Sequence, residues 1–302
     1  MNAAGFHAGE QALQARVGVR ERLAAVAPQI LRDYMPDQHR ELFGKLPTLL
    51  LGALDEAGQP WATMLAGPPG FVTTPDARRM RIDAARRAGD PALAGLHEGA
   101  SVGLLGLEPH TRRRNRMNGV VEHWPEGGAL EIAVRQSFGN CPRYIVPREP
   151  ERLDDVPQPA QPLGNQLDEA ALALIRRSDT LFIASASARP GSEERSEGVD
   201  VSHRGGAPGF VAIEHDAATG ELVLVLPDYP GNQFFMTLGN LSVNPAAGLL
   251  WLDHYDGTLL QVAAQAELRW DGEQQRSVRL RVRGGVRQPA ALPWRWHSLS
   301  AS

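Results

Sequence analysis

Residues 205–211 read GGAPGFV and residues 66–72 read AGPPGFV. Glycine and proline are plentiful (31 and 23), so a shared Pro-Gly-Phe-Val alone could be chance. The flanks decide the question. Upstream stand Thr48-Leu49-Leu50-Leu51-Gly52-Ala53 and Thr180-Leu181-Phe182-Ile183-Ala184-Ser185. Downstream stand Gly103-Leu104-Leu105-Gly106-Leu107-Glu108 and Gly248-Leu249-Leu250-Trp251-Leu252-Asp253. Three blocks recur in one order, with offsets that drift as insertions in loops would make them drift. The chain therefore reads as two copies of one domain. The second copy carries a longer early loop, Ala188 to Arg195, where the first has Asp55 to Gly58.

A length of 302 residues suits two domains, each large enough to bury a core without disulfides. The single cysteine, Cys141, allows no intrachain disulfide and fits a reducing compartment. The net charge of −4 offers no global basic field for nucleic acid. No apolar run is long enough to span a membrane, and the N-terminus has no signal-peptide core. The expected location is the cytoplasm. GxxxxGK[ST], GxSxG and HExxH are all missing, and scattered histidines beside one cysteine argue against a metal site.

Hydrophobic spacing predicts a helix over residues 9–28, a short one over 37–43 and a clearer one after Asp168, with Arg176 and Arg177 at its end. The remainder reads as short strands: 46–54, 61–66, 79–84, 101–107 and 119–123, then 181–186, 198–203, 210–214, 222–226, 248–252 and 259–268. This mainly β pattern with flanking helices suggests two small barrels. The expected organisation is a first domain over 1–146, a Pro- and Asp-rich linker over 147–167, and a second domain with a tail over 168–302.

Four stretches could carry chemistry. Ser202-His203-Arg204-Gly205-Gly206 ends a strand with a hydroxyl, an imidazole and a guanidinium before exposed backbone N–H groups, which suits a phosphate or a flavin edge. The plainer alternative is a polar hairpin. Pro227-Asp228-Tyr229-Pro230-Gly231-Asn232-Gln233 opens an expected helix over 233–241, whose start would offer free N–H groups; an ordinary strand-to-helix turn is the alternative. Arg112 to Arg116 is either a solvated hairpin or an anion patch. Arg135 to Ile145, expected after the first barrel, contains Ser137, Asn140 and Cys141, the last taken as inert packing.

With SHRGGAPGFV, PDYPGNQFFMTLGNLSVNPAAGLLWLD and RQSFGNCPRYI on the page, the chain resembles the pyridoxamine 5′-phosphate oxidase-related, FMN-binding split barrels of the double-barrel kind. The likeness is strongest in the second copy. The closing Pro293-Trp294-Arg295-Trp296 is similar to the oxidase's C-terminal Trp and Arg. The oxidase's own phosphate clamp and substrate set are not found. The resemblance implies two tandem FMN-binding split barrels and a flavoprotein of oxidoreductase type acting on a small-molecule substrate or redox partner. A non-catalytic flavin or haem binder is the alternative. No nucleic-acid or membrane partner is expected, and pairing of two chains into a homodimer is compatible with the sequence. The expected cofactor set is Ser202, His203, Arg204, Asp228, Tyr229 and Asn232, with Arg114, Arg116, Ser137 and Asn140 from the first barrel. Met64, Leu65 and Ala66 are taken to stand where Ser202, His203 and Arg204 stand, which implies one FMN per chain.

Overall fold

The computed structural model describes residues 5–154, 156–272 and 275–299. In the first copy the strands are β1 (Thr48–Leu54), β2 (Pro60–Ala66), β3 (Val72–Asp76), β4 (Arg79–Ile82), β5 (Ser101–Glu108), β6 (Arg113–His123) and β7 (Leu130–Gly139). Strands β8 (Arg148–Arg152) and β9 (Gln161–Leu163) follow. The second copy has β10 (Thr180–Ala186), β11 (Val199–Gly205), β12 (Ala212–His215), β13 (Leu222–Pro227), β14 (Ala246–Leu252), β15 (Leu259–Asp271) and β16 (Gln275–Gln288), followed by β17 (Trp294–Ser298).

The first sheet has the order β2-β1-β5-β6-β7-β4-β3, and the second has β11-β10-β14-β15-β16-β13-β12. Strand for strand these are one topology, so the repeated blocks mark a repeated fold: tandem split barrels with flanking helices. The Pro-Gly-Phe-Val stretch is the same turn twice. Phe71 N–H donates to Pro68 O and Phe210 N–H to Ala207 O, both at 2.9 Å. Gly70 and Gly209 hold φ of 92° and 76°, a region that a side chain would disfavour. The valines that follow, Val72 and Val211, are buried in their own cores.

Several expected elements differ. The helix expected over 9–28 is two, α1 (Ala8–Arg16) and α2 (Arg20–Ile30), because Gly18 between them takes φ of 71°. Next comes α3 (Asp37–Lys45), and a single-turn α4 (Pro91–Ala94) lies between β4 and β5. Helix α5 (Glu169–Arg177) starts as expected, with the Asp168 carboxylate accepting from Ala171 N–H. Helix α6 (Met236–Val243) begins three residues later than its sequence suggests, since Gln233 and Phe235 hold φ of 62° and 60°, which the right-handed helix excludes. The Arg112–Arg116 run belongs to the β5–β6 hairpin: Arg112 sits in its turn, and Arg113 opens β6 opposite Glu108. Residues 130–139 are a strand inside the first sheet, and Val278–Arg283, expected as part of a tail, lies within β16, the longest strand of the second. The segment 147–167 carries β8, which pairs with β17, and β9, which pairs with β16.

Each sheet has its own apolar core. A third cluster joins them, built from matched positions such as Leu50 with Phe182, Leu105 with Leu250 and Ala62 with Val201. Glycines allow that approach. A Cβ on Gly103 would lie 2.8 Å from Asp200 Cα, and one on Gly248 would lie 2.6 Å from Trp61 Cα. Among the described residues no helix is long and apolar enough to cross a membrane.

Candidate functional site

Strand alternation builds the site. On β6, Arg114 and Arg116 are two apart, so both side chains leave the same face, toward the second barrel. On β11, Ser202, His203 and Arg204 lie opposite. Between them opens a cleft, completed by the 140–144 segment, the 227–235 loop, the start of α6 and Arg276 of β16. Five arginines (Arg114, Arg116, Arg143, Arg204, Arg276) line it, against one carboxylate, Asp228.

These charges are unequally matched. Arg116 Nη1 donates to Asp200 Oδ2 at 2.8 Å and Oδ1 at 3.1 Å, and its Nη2 donates to Ser202 Oγ. Asp228 is shared: Arg276 Nε lies 2.8 Å from Oδ2 and Arg204 Nη1 3.3 Å from Oδ1. Arg114 has no carboxylate partner among the described residues. Its Nη1 donates to His203 Nδ1 at 2.8 Å. Burial and then the Arg114 charge hold the imidazole well below its usual pKa, so His203 is neutral and its Nδ1 accepts. Burial, with Arg116 and Arg204 next in effect, pulls the Arg114 guanidinium down to about 10. Nε of Arg114, Arg116 and Arg204 and Nδ2 of Asn140 are buried with no hydrogen-bond partner among the described residues.

The loop into α6 is held in a demanding shape. Gln233 and Phe235 are left-handed, Asn232 Oδ1 accepts from Phe234 N–H at 3.1 Å, and Gln14 Nε2 of α1 donates to Phe234 O at 3.0 Å. Helix α6 has no side-chain cap; its first residues, Met236 to Leu238, face the cleft. Left-handed non-glycine residues cost energy and gather at ligand sites. At the mouth Tyr144, itself at φ of 64°, stacks on Tyr229 with ring centroids 5.4 Å apart.

Of the expected set, His203, Arg204, Asp228, Tyr229, Asn232, Arg114, Arg116 and Asn140 line this cleft. Ser202 lies just beneath, 2.6 Å from Thr237 Oγ1. Ser137 lies elsewhere. Its neighbour Phe138 pairs with Arg116 across β6–β7, so alternation turns Ser137 to the other face, where its Oγ meets His39 Nδ1 at 2.9 Å. Cys141, expected as packing, is half-buried on the cleft wall. The cleft also holds Arg143, Tyr144, Thr237 and Arg276, which the expected set does not name. Arg143 and Tyr144 fall within the Arg135–Ile145 stretch, whereas Arg276 lies just before the expected tail and, like Thr237, gains meaning only from what folds against it.

The match between the copies also needs a correction. Leu51 pairs with Thr63 and Ile183 with Ser202. The counterparts of Ser202, His203 and Arg204 are therefore Thr63, Met64 and Leu65, one position earlier than expected and in agreement with the alignment of the two Pro-Gly-Phe-Val blocks.

Residues 35–156 match the family model of pyridoxamine 5′-phosphate oxidase, a span that contains the whole first sheet. The first barrel is of the pyridoxamine 5′-phosphate oxidase type. The match thus falls on the first copy, not on the second, where the sequence likeness looked stronger. No curated protein matches the chain. Among solved structures, the inhibitor of motility of Bacillus subtilis is 12% identical over 80% of this chain and 88% of its own, with a TM-score of 0.23. A FAD-binding protein of Mesorhizobium loti is 11% identical over 43% of this chain and 99% of its own, at 0.28. HutZ, the heme storage protein of Vibrio cholerae, is 13% identical over 39% and 92%, at 0.26.

Proposed function

We propose that the chain binds one FMN in the cleft between its two pyridoxamine 5′-phosphate oxidase-type barrels, as a flavoprotein of oxidoreductase type. The observation that carries this is the excess of guanidinium groups there, with Arg114 half-buried, its Nε shielded from solvent, unmatched by a carboxylate and held in place by a neutral histidine. A partly desolvated cation without a counter-charge is costly, and the phosphate of FMN would supply that charge. Arg114 and Arg143 would take the phosphate, with Arg204 in support. Arg204 is already partly neutralised by Asp228, so its share is smaller. Asn140, with a free buried amide, and the uncapped N–H groups of α6 are donors for the polar edge of the ring. Bound FMN would supply hydride and electron transfer through its ring; the chain's part is to hold and orient it and to exclude water with Tyr144, Tyr229 and Phe234.

The purified protein is expected to show flavin absorbance and to titrate with close to one FMN per polypeptide. A charge-assisted hydrogen bond contributes about 1.5–3 kcal/mol. Arg114→Ala should therefore weaken FMN binding roughly ten- to a hundredfold, and Arg204→Ala should weaken it less. Riboflavin, which lacks the phosphate, should bind both variants as it binds the parent. Equal FMN affinity for Arg114→Ala and the parent would remove the phosphate from this site. A Soret band in place of flavin bands would replace FMN by haem. Turnover of a reduced nicotinamide by the FMN-loaded protein separates an enzyme from a carrier.

A further inference from the structure

The internal repeat requires a counterpart to the open cleft, built from β2 and β15 as the open one is built from β11 and β6. Leu105 pairs with Arg116 and Leu250 with Gln261, so Gln261 stands where Arg116 stands, as Thr63 stands for Ser202. By the same register Leu259 replaces Arg114 and Leu65 replaces Arg204. In place of a cavity, this position holds a carboxylate. Asp90 is buried and caps α4, and four donors converge on it: Arg87 and Ala92 from beside it in the chain, Thr63 from β2 and Gln261 from β15. Thr63 Oγ1 donates to Oδ2 at 2.5 Å and Arg87 Nη2 to the same oxygen at 2.8 Å. Gln261 Nε2 and Ala92 N–H donate to Oδ1, each at 3.0 Å. Arg87 also donates to Thr63 Oγ1, Met64 O and Ala291 O. Gln288 Nε2 donates to Gln261 Oε1 and fixes that amide.

We infer that the chain contains a second ligand cleft, related to the open one by its internal repeat, in which Asp90 with Arg87 takes the place of an anionic ligand: a small-carboxylate site whose occupant is part of the chain. That the open cleft is a ligand site rests on the proposed function. The occupation of its counterpart rests on the contacts alone. It also gives the single FMN a cause beyond missing side chains: the second cleft is filled, and the leucines at 65 and 259 leave it only Arg87 as a cation.

The occupied site should become an open one when Asp90 is shortened. Asp90→Gly leaves the half-buried Arg87 without its carboxylate, and the melting temperature should fall by roughly 5–15 °C. Formate, a carboxylate small enough to replace the missing one, should restore much of that loss in a saturable way, while chloride at equal ionic strength should not. Asp90→Ser keeps a hydroxyl to accept from Ala92 N–H and carries the same test if the glycine variant does not fold. The FMN-free parent and Asp90→Asn are the references and should respond to formate no more than to chloride. Formate that stabilises neither shortened variant beyond chloride overturns the inference. FMN titration of the parent is a separate readout. Its failure would end the proposed function and leave the occupied cleft standing.

Discussion

Gly248→Ala is expected to destabilise the protein at or above the upper end of the roughly 1–3 kcal/mol typical of overpacked cores. The added Cβ would lie 2.3 Å from Pro60 O, 2.6 Å from Trp61 Cα and 2.7 Å from Pro60 C. All three are backbone atoms of β2 in the other barrel, so no side chain can swing away. Relief requires the barrels to part along the seam that also forms the cleft. Gly103 is the counterpart in the first copy, with Val199 O and Asp200 Cα both at 2.8 Å from its would-be Cβ, and Gly103→Ala should behave similarly. Gly52 provides the contrast. Its Cβ would meet the Cβ atoms of Ala184 and Val201 at 3.2 and 3.3 Å and the Asp200 carbonyl oxygen at an ordinary 3.5 Å, and its counterpart in the second copy is already Ala184. Gly52→Ala should therefore cost clearly less. Urea unfolding of the three variants checks the order, and a Gly248→Ala variant as stable as the parent would mean that the barrels are not packed backbone to backbone.

These glycines show what the sequence could and could not reveal. Gly103 and Gly248 are visible as members of a repeated block, and the block correctly announces two sheets of one strand order. Nothing in the block says that the glycine is there for the other barrel's backbone. The same limit hid the last barrel strands. Residues 130–139 and 275–288 alternate apolar residues with charged ones, Arg279, Arg281 and Arg283 among them, and lie beyond the repeated blocks that drew attention. The polar site was half legible. Ser202, His203 and Arg204 sit on one short strand, and Arg114 and Arg116 fall on one face of another, so local patterning finds them. Arg143, Tyr144 and Arg276 come from segments far apart in sequence, and only the closed fold brings them to one cleft. The match of Met64 to Ser202 is a one-residue slip: alignment of residues 66–72 on 205–211 already places Thr63 opposite Ser202, and backbone pairing agrees.

The second large effect is expected at Asp200. Its carboxylate, on β11, holds Arg116 of β6 through two hydrogen bonds at 2.8 and 3.1 Å, and Asn118 Nδ2 approaches at 3.4 Å. The side chains of Asp200 and Arg116 are 5% and 12% exposed, so the pair is largely removed from water and bridges the two barrels. Removing one member of such a pair strands the other as an uncompensated buried charge, at about 3–5 kcal/mol. Asp200→Ala should lose that much stability. Asp200→Leu combined with Arg116→Met should recover a large part of it, since replacing both partners by apolar groups of similar volume is often neutral. The single variant also separates packing from charge. If Arg116 is the stranded group, FMN or inorganic phosphate entering the adjacent cleft compensates it, and either anion should raise the melting temperature of Asp200→Ala by more than that of the parent. Equal gains for both proteins would mean that the Arg116 guanidinium does not reach the anion, and the phosphate would then be left to Arg114 and Arg143.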